Sequence, residues 1–181
     1  MEKVNADVMI KIALVGPEST GKTTIAKLLA KKFNSTYVPE FARKYLNENP
    51  QYEEKDLLKI ARVQYNQIEV ADNNKGILII DTELTVIKIW SEVKFGHCNG
   101  EINRLLEQQR IDHYLLMYPD LPWEFDVQRE SKEDLLEIFN LYKNELVNRK
   151  RPFSIIKGID GERFSSALAV IIKLYPGEII E

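Results

Sequence analysis

Residues 8 to 24 read Val8-Met9-Ile10-Lys11-Ile12-Ala13-Leu14-Val15-Gly16-Pro17-Glu18-Ser19-Thr20-Gly21-Lys22-Thr23-Thr24. The first eight are apolar with only Lys11 interrupting, the pattern of a strand buried on both faces of a parallel sheet. The next eight fit GxxxxGK[ST] without a mismatch. Beyond them Ile25, Leu28, Leu29 and Phe33 recur at helical spacing between lysines, which makes 22–33 an amphipathic helix. A buried strand, a glycine-bearing loop and a helix in that order build an anion cradle. The glycines let backbone N–H groups converge on phosphate oxygens, and the helix N-terminus adds positive potential. In such a cradle Lys22 reaches the β and γ phosphates and the Thr23 hydroxyl ligates Mg²⁺. Gly16, Glu18, Ser19, Thr20, Gly21, Lys22, Thr23 and Thr24 are the candidate nucleotide contacts, with ATP and Mg²⁺ as the candidate cofactors. The alternative is a glycine turn capped by Ser19 or Thr20, which has no use for the Lys22-Thr23 pair.

Outward from this loop, short apolar runs alternate with helix-period segments. Strands are expected at 36–39, 77–81, 113–118 and 153–157, and helices at 53–73, 101–109 and 133–148. The 53–73 helix buries Leu57, Ile60, Ala61, Tyr65 and Ile68, and a last helix opens after 158–161 with Phe164, Leu168, Ile171 and Ile172 inward. Five strands alternating with helices predict an α/β fold. It is a three-layer α/β/α domain on a mostly parallel five-stranded sheet, spanning 1–181 with a small lid segment at about 119–132. Such sheets bind ligands at the C-terminal ends of their strands.

The residues just after each strand are therefore the next candidates. The third strand ends in Asp81 after four apolar residues, the place of a metal-holding carboxylate; the alternative is that Asp81 or Thr82 caps a following helix. The second ends in Pro39-Glu40-Phe41-Ala42-Arg43, where Glu40 can orient or deprotonate an acceptor hydroxyl and Arg43 can bind substrate or the transferring phosphate. The alternative there is an acidic first helical turn with Arg43 in a surface pair. After the fourth strand, Trp123 and Asp126 suit a flat ring and a ribose, and Arg129 can close over the phosphates; a plug over the sheet end is the alternative. The turn from Gly158 to Arg163 borders the adenine, with Arg163 stacking or hydrogen-bonding there.

Composition narrows the function classes. At 181 residues, 44% hydrophobic and 29% charged, the chain has material for one core without staples. The lone Cys98, beside only His97 and His113, gives no CxxC or HExxH metal set. A net charge of −3 with no block of like charges disfavours nucleic acid, and Arg149-Lys150-Arg151 reads as cations at a helix C-terminus. No apolar run approaches the roughly 20 residues a membrane helix needs, and residues 1–7 lack a signal peptide's apolar centre. A cytoplasmic location and a small-molecule partner are expected.

Together these stations resemble the ribosylnicotinamide kinase domain of NadR-type proteins. The match runs through GPESTGKTT at 16–24, PEFARKY at 39–45, Val63-Gln64-Tyr65, IIDTE at 79–83, Pro122-Trp123 with Asp126 and Arg129, and Glu162-Arg163-Phe164. The resemblance implies ATP- and Mg²⁺-dependent phosphorylation of the 5′-hydroxyl of nicotinamide riboside (NR) or a similar nucleoside, in NAD salvage. It also implies that the segment around Trp123 and Asp126 helps form the nucleoside site and that the Arg129 segment is a lid. The chain departs from the family pattern at Pro39, Ala42, Glu83, Val127 and Gln128, which border the acceptor pocket. With about ten residues before the first strand, it is expected to be a stand-alone kinase domain without the upstream adenylyltransferase. Asp81 is assigned to the metal shell and Glu40 to the acceptor, the reverse remaining open. The rivals are a nucleotide-dependent switch or accessory ATPase acting on a protein partner, and a kinase for another nucleoside.

Overall fold

The first strand, β1 (Ile10–Val15), is buried along its whole length because it lies in the middle of the sheet. The computed structural model describes residues 9–72, 76–121 and 135–176. After β1 come α1 (Lys22–Phe33), β2 (Thr36–Val38), α2 (Phe41–Glu48), α3 (Glu54–Ala71), β3 (Ile77–Asp81), α4 (Leu84–Phe95) and α5 (Gly100–Gln108). The chain continues through β4 (His113–Met117), α6 (Leu135–Asn148), β5 (Phe153–Ile156) and α7 (Asp160–Leu174). The strands lie in the order β2-β3-β1-β4-β5, and every pairing is parallel. The three-layer α/β/α architecture expected from the alternation is the one found, with an all-parallel sheet. Among the described residues no helix is long and apolar enough to cross a membrane.

Alternation along each strand sends side chains to two layers. Ile12 and Leu14 pack with Ile25, Leu29, Ala167 and Ile171 of α1 and α7, while Ala13 and Val15 pack with Ile68, Phe139, Tyr142 and Leu146 of α3 and α6. A third cluster joins α2, α3, α4 and α5 through Ala42, Tyr45, Leu57, Ile60, Leu84, Ile87, Ile102 and Leu106. Strand order reverses beside β1, which is hydrogen-bonded to β3 on one side and β4 on the other. A crevice at the C-terminal end of β1 follows from that topology, and it is where open α/β sheets bind their ligands.

Element ends follow local chemistry. β2 stops at Val38, one residue before the expected end, because Pro39 has no N–H for a ladder. α6 ends where Lys150 turns left-handed (φ 53°) and Arg151 N–H returns to the Leu146 carbonyl at 2.9 Å. Arg149 pairs there with Glu145 and Glu107, so the basic run does sit at a helix C-terminus.

Cys98 lies half-buried between α4 and α5, its thiol pushed up to about 11 by burial and by the nearby Glu92 carboxylate. A raised thiol holds little thiolate at neutral pH, so alkylation of the native protein at pH 7.5 is expected to be slower than that of free cysteine. Cys98→Ser is expected to keep activity within about twofold of wild type. Rapid alkylation with loss of turnover would place Cys98 in the working site.

Candidate active site

The chain leaves β1 through Gly16 at φ 132°, a conformation closed to side chains. A Cβ there would stand 2.7 Å from the Met117 carbonyl oxygen and 3.2 Å from the Met117 nitrogen, so the loop emerges against the backbone of β4. The Thr20 hydroxyl donates to the Pro17 carbonyl at 2.7 Å and closes the loop on itself. Lys22 lies across it, its Nζ donating to the carbonyls of Gly16 at 2.9 Å and Pro17 at 2.7 Å. α1 then starts with Gly21 as its N-cap (φ 77°) and with no side-chain cap. Neither Ser19 nor Thr20 caps it, against the plain-turn alternative; the Ser19 hydroxyl is buried without a partner. The orphan N–H groups of the first turn therefore head the loop as anion donors. Thr23 is half-buried in that turn, and Thr24 is exposed.

Arg163, expected beside the adenine, is a buried residue at the start of α7, just after the β5–α7 turn. It is 2% exposed, and its guanidinium is spent on main-chain carbonyls: Thr20 at 2.9 Å, Gly158 at 2.9 Å and Tyr118 at 3.1 Å. It also pairs with Asp120, whose other oxygen accepts the Gly158 N–H at 2.9 Å. A guanidinium so committed has no donor left over for a base; it braces the phosphate loop, the exit of β4 and the exit of β5. Holding the Thr20 carbonyl also fixes the Gly21 N–H, because a trans peptide points the two in opposite directions.

Asp81 ends β3 in register with Leu14 and is 1% exposed. Its Oδ2 accepts the Tyr37 hydroxyl at 3.1 Å, and its Oδ1 is buried with no partner. Burial and the Asp81 carboxylate push the Tyr37 phenol up, which keeps it a donor. Thr82 then adopts φ 73°, a left-handed conformation that costs a β-branched residue about 1–3 kcal/mol. The helix cap is Glu83 rather than Asp81 or Thr82. Both Glu83 oxygens accept the Thr85 N–H, at 3.0 and 2.9 Å, and Gln109 donates to Oε2 at 2.6 Å. Complete burial pushes the Glu83 carboxyl up from the usual range. With the cap supplied by Glu83, Asp81 is released from that duty.

Mg²⁺ bound with a nucleotide needs only one or two protein oxygens, since phosphates and water fill the remaining positions. Among the described residues no group of three or more His, Cys, Asp or Glu forms a cage. A buried, unpartnered carboxylate oxygen on Asp81 and a hydroxyl at Thr23 fit the smaller requirement.

Glu40 is the N-cap residue of α2, yet its side chain does not cap the helix. Its carboxylate lies 3.9 Å from the half-exposed Arg43 guanidinium, the i,i+3 pair weighed from the sequence. Burial lowers the Lys22 ammonium from the ordinary lysine value, and the carboxylates of Glu40, Asp81 and Glu18 oppose that shift, with Arg43 adding to it. Lys22, Glu18, Glu40, Arg43 and Asp81 thus share one electrostatic neighbourhood at the switch point. Trp123, Asp126 and Arg129 lie outside the described residues. The start of the expected lid is held by Asp120, and the Leu121 side chain would stand 3.2 Å from a Cβ on Gly21.

The chain is 26% identical over 176 residues to the trifunctional NAD biosynthesis/regulator protein NadR of Salmonella typhimurium, a match covering 92% of this chain and 43% of the relative. It therefore spans less than half the length of that curated relative. Two solved structures of NadR share its fold. The one in complex with NR superposes with a TM-score of 0.76 at 21% identity, covering 96% of this chain and 52% of that one. The one in complex with NAD and AMP-PNP gives 0.77 at 22% identity, covering 96% and 51%. A family model described as an AAA domain matches residues 11–163, from β1 through Arg163. A match that takes in the phosphate loop, both carboxylates and the arginine brace shows the family, and the chain belongs to the AAA domain proteins.

Proposed function

We propose that this protein is an ATP- and Mg²⁺-dependent kinase that phosphorylates the 5′-hydroxyl of nicotinamide riboside or a similar nucleoside in NAD salvage. The observation that carries the proposal is a second carboxylate. Glu40 stands with Asp81 around Lys22 at the switch point, and its side chain is not used to cap α2. Placed between β2 and α2, that carboxylate can orient or deprotonate an acceptor hydroxyl. The likeness to NadR, and the NR and AMP-PNP complexes of that protein, support the choice of acceptor and donor. One domain over 1–181 with a lid at 119–132, in the cytoplasm, belongs to the same proposal.

Phosphoryl transfer asks the protein for positioning and charge rather than covalent help. The loop N–H groups and Lys22 bind the β and γ phosphates. Thr23 and Asp81 would hold Mg²⁺, which when bound neutralises charge across those phosphates. Glu40 accepts the proton of the 5′-hydroxyl, or orients it, as that oxygen attacks the γ phosphorus in line and ADP leaves. Arg43 meets the substrate. Trp123 takes the flat ring, Asp126 the ribose, and Arg129 the transferring phosphate as the lid closes.

Transfer from labelled ATP to nicotinamide riboside, adenosine, cytidine and uridine, with water as the blank, tests this. Product from nicotinamide riboside is the expected result. Hydrolysis without any phosphorylated nucleoside would overturn the kinase in favour of a switch. Trp123→Ala is expected to raise the nucleoside KM about tenfold or more, the loss of a stacked ring, while the ATP KM stays within about twofold. Equal effects on both would assign Trp123 to packing.

A further inference from the structure

α3 carries a polar side chain inside its buried stripe. Leu57, Ile60, Ala61 and Ile68 face the core, and Gln64 sits among them at 1% exposure. Both ends of its amide are used on one turn: Oε1 accepts the Phe41 N–H at 2.8 Å, and Nε2 donates to the Pro39 carbonyl at 3.3 Å. Those two groups flank Glu40. Phe41 opens α2, so its N–H is one of the orphan donors of the helix N-terminus. Here Gln64 takes that N–H from another helix.

We propose that Gln64 is a positioning residue for Glu40: by bonding the backbone on both sides of it from α3, Gln64 fixes the turn that carries the Glu40 carboxylate toward the acceptor. The inference rests on the acceptor role given to Glu40 above. An uncharged amide suits the task because it offers a donor and an acceptor at fixed geometry. It also brings no charge to compete with Glu40 for Lys22 or Arg43.

Gln64→Leu keeps the volume and removes both bonds, while Gln64→Glu keeps the acceptor for Phe41 N–H and loses the donor. In Gln64→Leu the Phe41 amide is expected to lose its hydrogen-exchange protection. The kcat for nucleoside phosphorylation is expected to fall about 10- to 100-fold with the ATP KM within about twofold, in line with a displaced general base. Gln64→Glu is expected to restore the protection but only part of the kcat, because its carboxylate leaves the Pro39 carbonyl without a donor and brings a charge that competes with Glu40, and melting curves verify that both variants fold. In a Glu40→Gln background Gln64→Leu is expected to add little, since the two act through one carboxylate. Equal losses in both backgrounds, an unchanged kcat, or retained Phe41 protection in Gln64→Leu would each overturn the assignment. If the wild type itself phosphorylates no nucleoside, the kinase proposal fails and takes this one with it. If the wild type is active and Gln64→Leu matches it, the positioning role alone fails.

Discussion

Lys22→Ala is expected to lower phosphoryl transfer by at least about a hundredfold, the scale for losing one preorganised charge at a developing phosphate. The loss has two parts. The ammonium proposed to bind the β and γ phosphates disappears, and the carboxylates of Glu18, Glu40 and Asp81 are left facing an incoming polyanion without their shared cation. The first part lowers kcat, and the second raises the ATP KM. The fold is expected to survive, because the side chain is only half-buried and its two bonds go to carbonyls of its own loop. Steady-state transfer and a thermal melt on the same preparation separate the two. A folded Lys22→Ala variant with more than a tenth of wild-type turnover would remove Lys22 from the mechanism and take the phosphate-loop assignment with it.

The parts of this site that sequence makes legible depend on neighbours along the chain. The strand, loop and helix of 10–33 are contiguous, and a motif states the chemistry of each position, so loop, fold and lysine can be read together. Asp81 and Glu40 are legible for a related reason: each follows a short apolar run, and strand ends point to the crevice in this architecture. The brace made by Arg163 was not legible, because besides the nearby Gly158 it is set by carbonyls distant in sequence, on Thr20 and Tyr118. An arginine after a glycine turn carries no sign that it will be buried. Gln64 did leave a signal. The buried face of α3 runs through 57, 60, 61, 64 and 68, whereas the expected face placed Tyr65 where Gln64 lies. A polar residue in phase with an apolar stripe is a question that the periodicity itself raises. α4 was legible only as an alternative, since it is buried on several sides and shows no single apolar stripe.

Strain and capping are coupled at the end of β3. Thr82 holds a left-handed turn while its N–H reaches back to the Leu14 carbonyl at 3.3 Å. Glu83, fixed by the Thr85 N–H and Gln109, anchors the far side. The turn is thereby held from both ends, and the strain goes into the direction in which Asp81 leaves the strand. The length of the Glu83 side chain lets one buried carboxyl reach Gln109 as well as the helix N–H.

That geometry makes Asp81→Asn the sharper of the two carboxylate tests. The amide keeps the size and can still accept from Tyr37, so the fold is expected to hold, but it removes the charge from the one carboxylate among the described residues with a buried, unpartnered oxygen. Transfer is expected to fall about 10²- to 10³-fold, as for loss of a preorganised electrostatic group, and to recover in part as Mg²⁺ is raised, because the variant still offers Thr23 and the phosphates supply the other positions. Glu40→Gln is expected to behave differently. Its defect should be in kcat, indifferent to Mg²⁺ concentration, with the ATP KM near wild type, because a group serving the acceptor hydroxyl leaves nucleotide binding untouched. Titrating Mg²⁺ against transfer in both variants therefore assigns the roles from the direction of the response. If Glu40→Gln is the variant that Mg²⁺ rescues and Asp81→Asn the one it does not, the two roles exchange. If neither responds and both keep wild-type turnover, the carboxylates at the ends of β2 and β3 are structural and the kinase chemistry lies elsewhere.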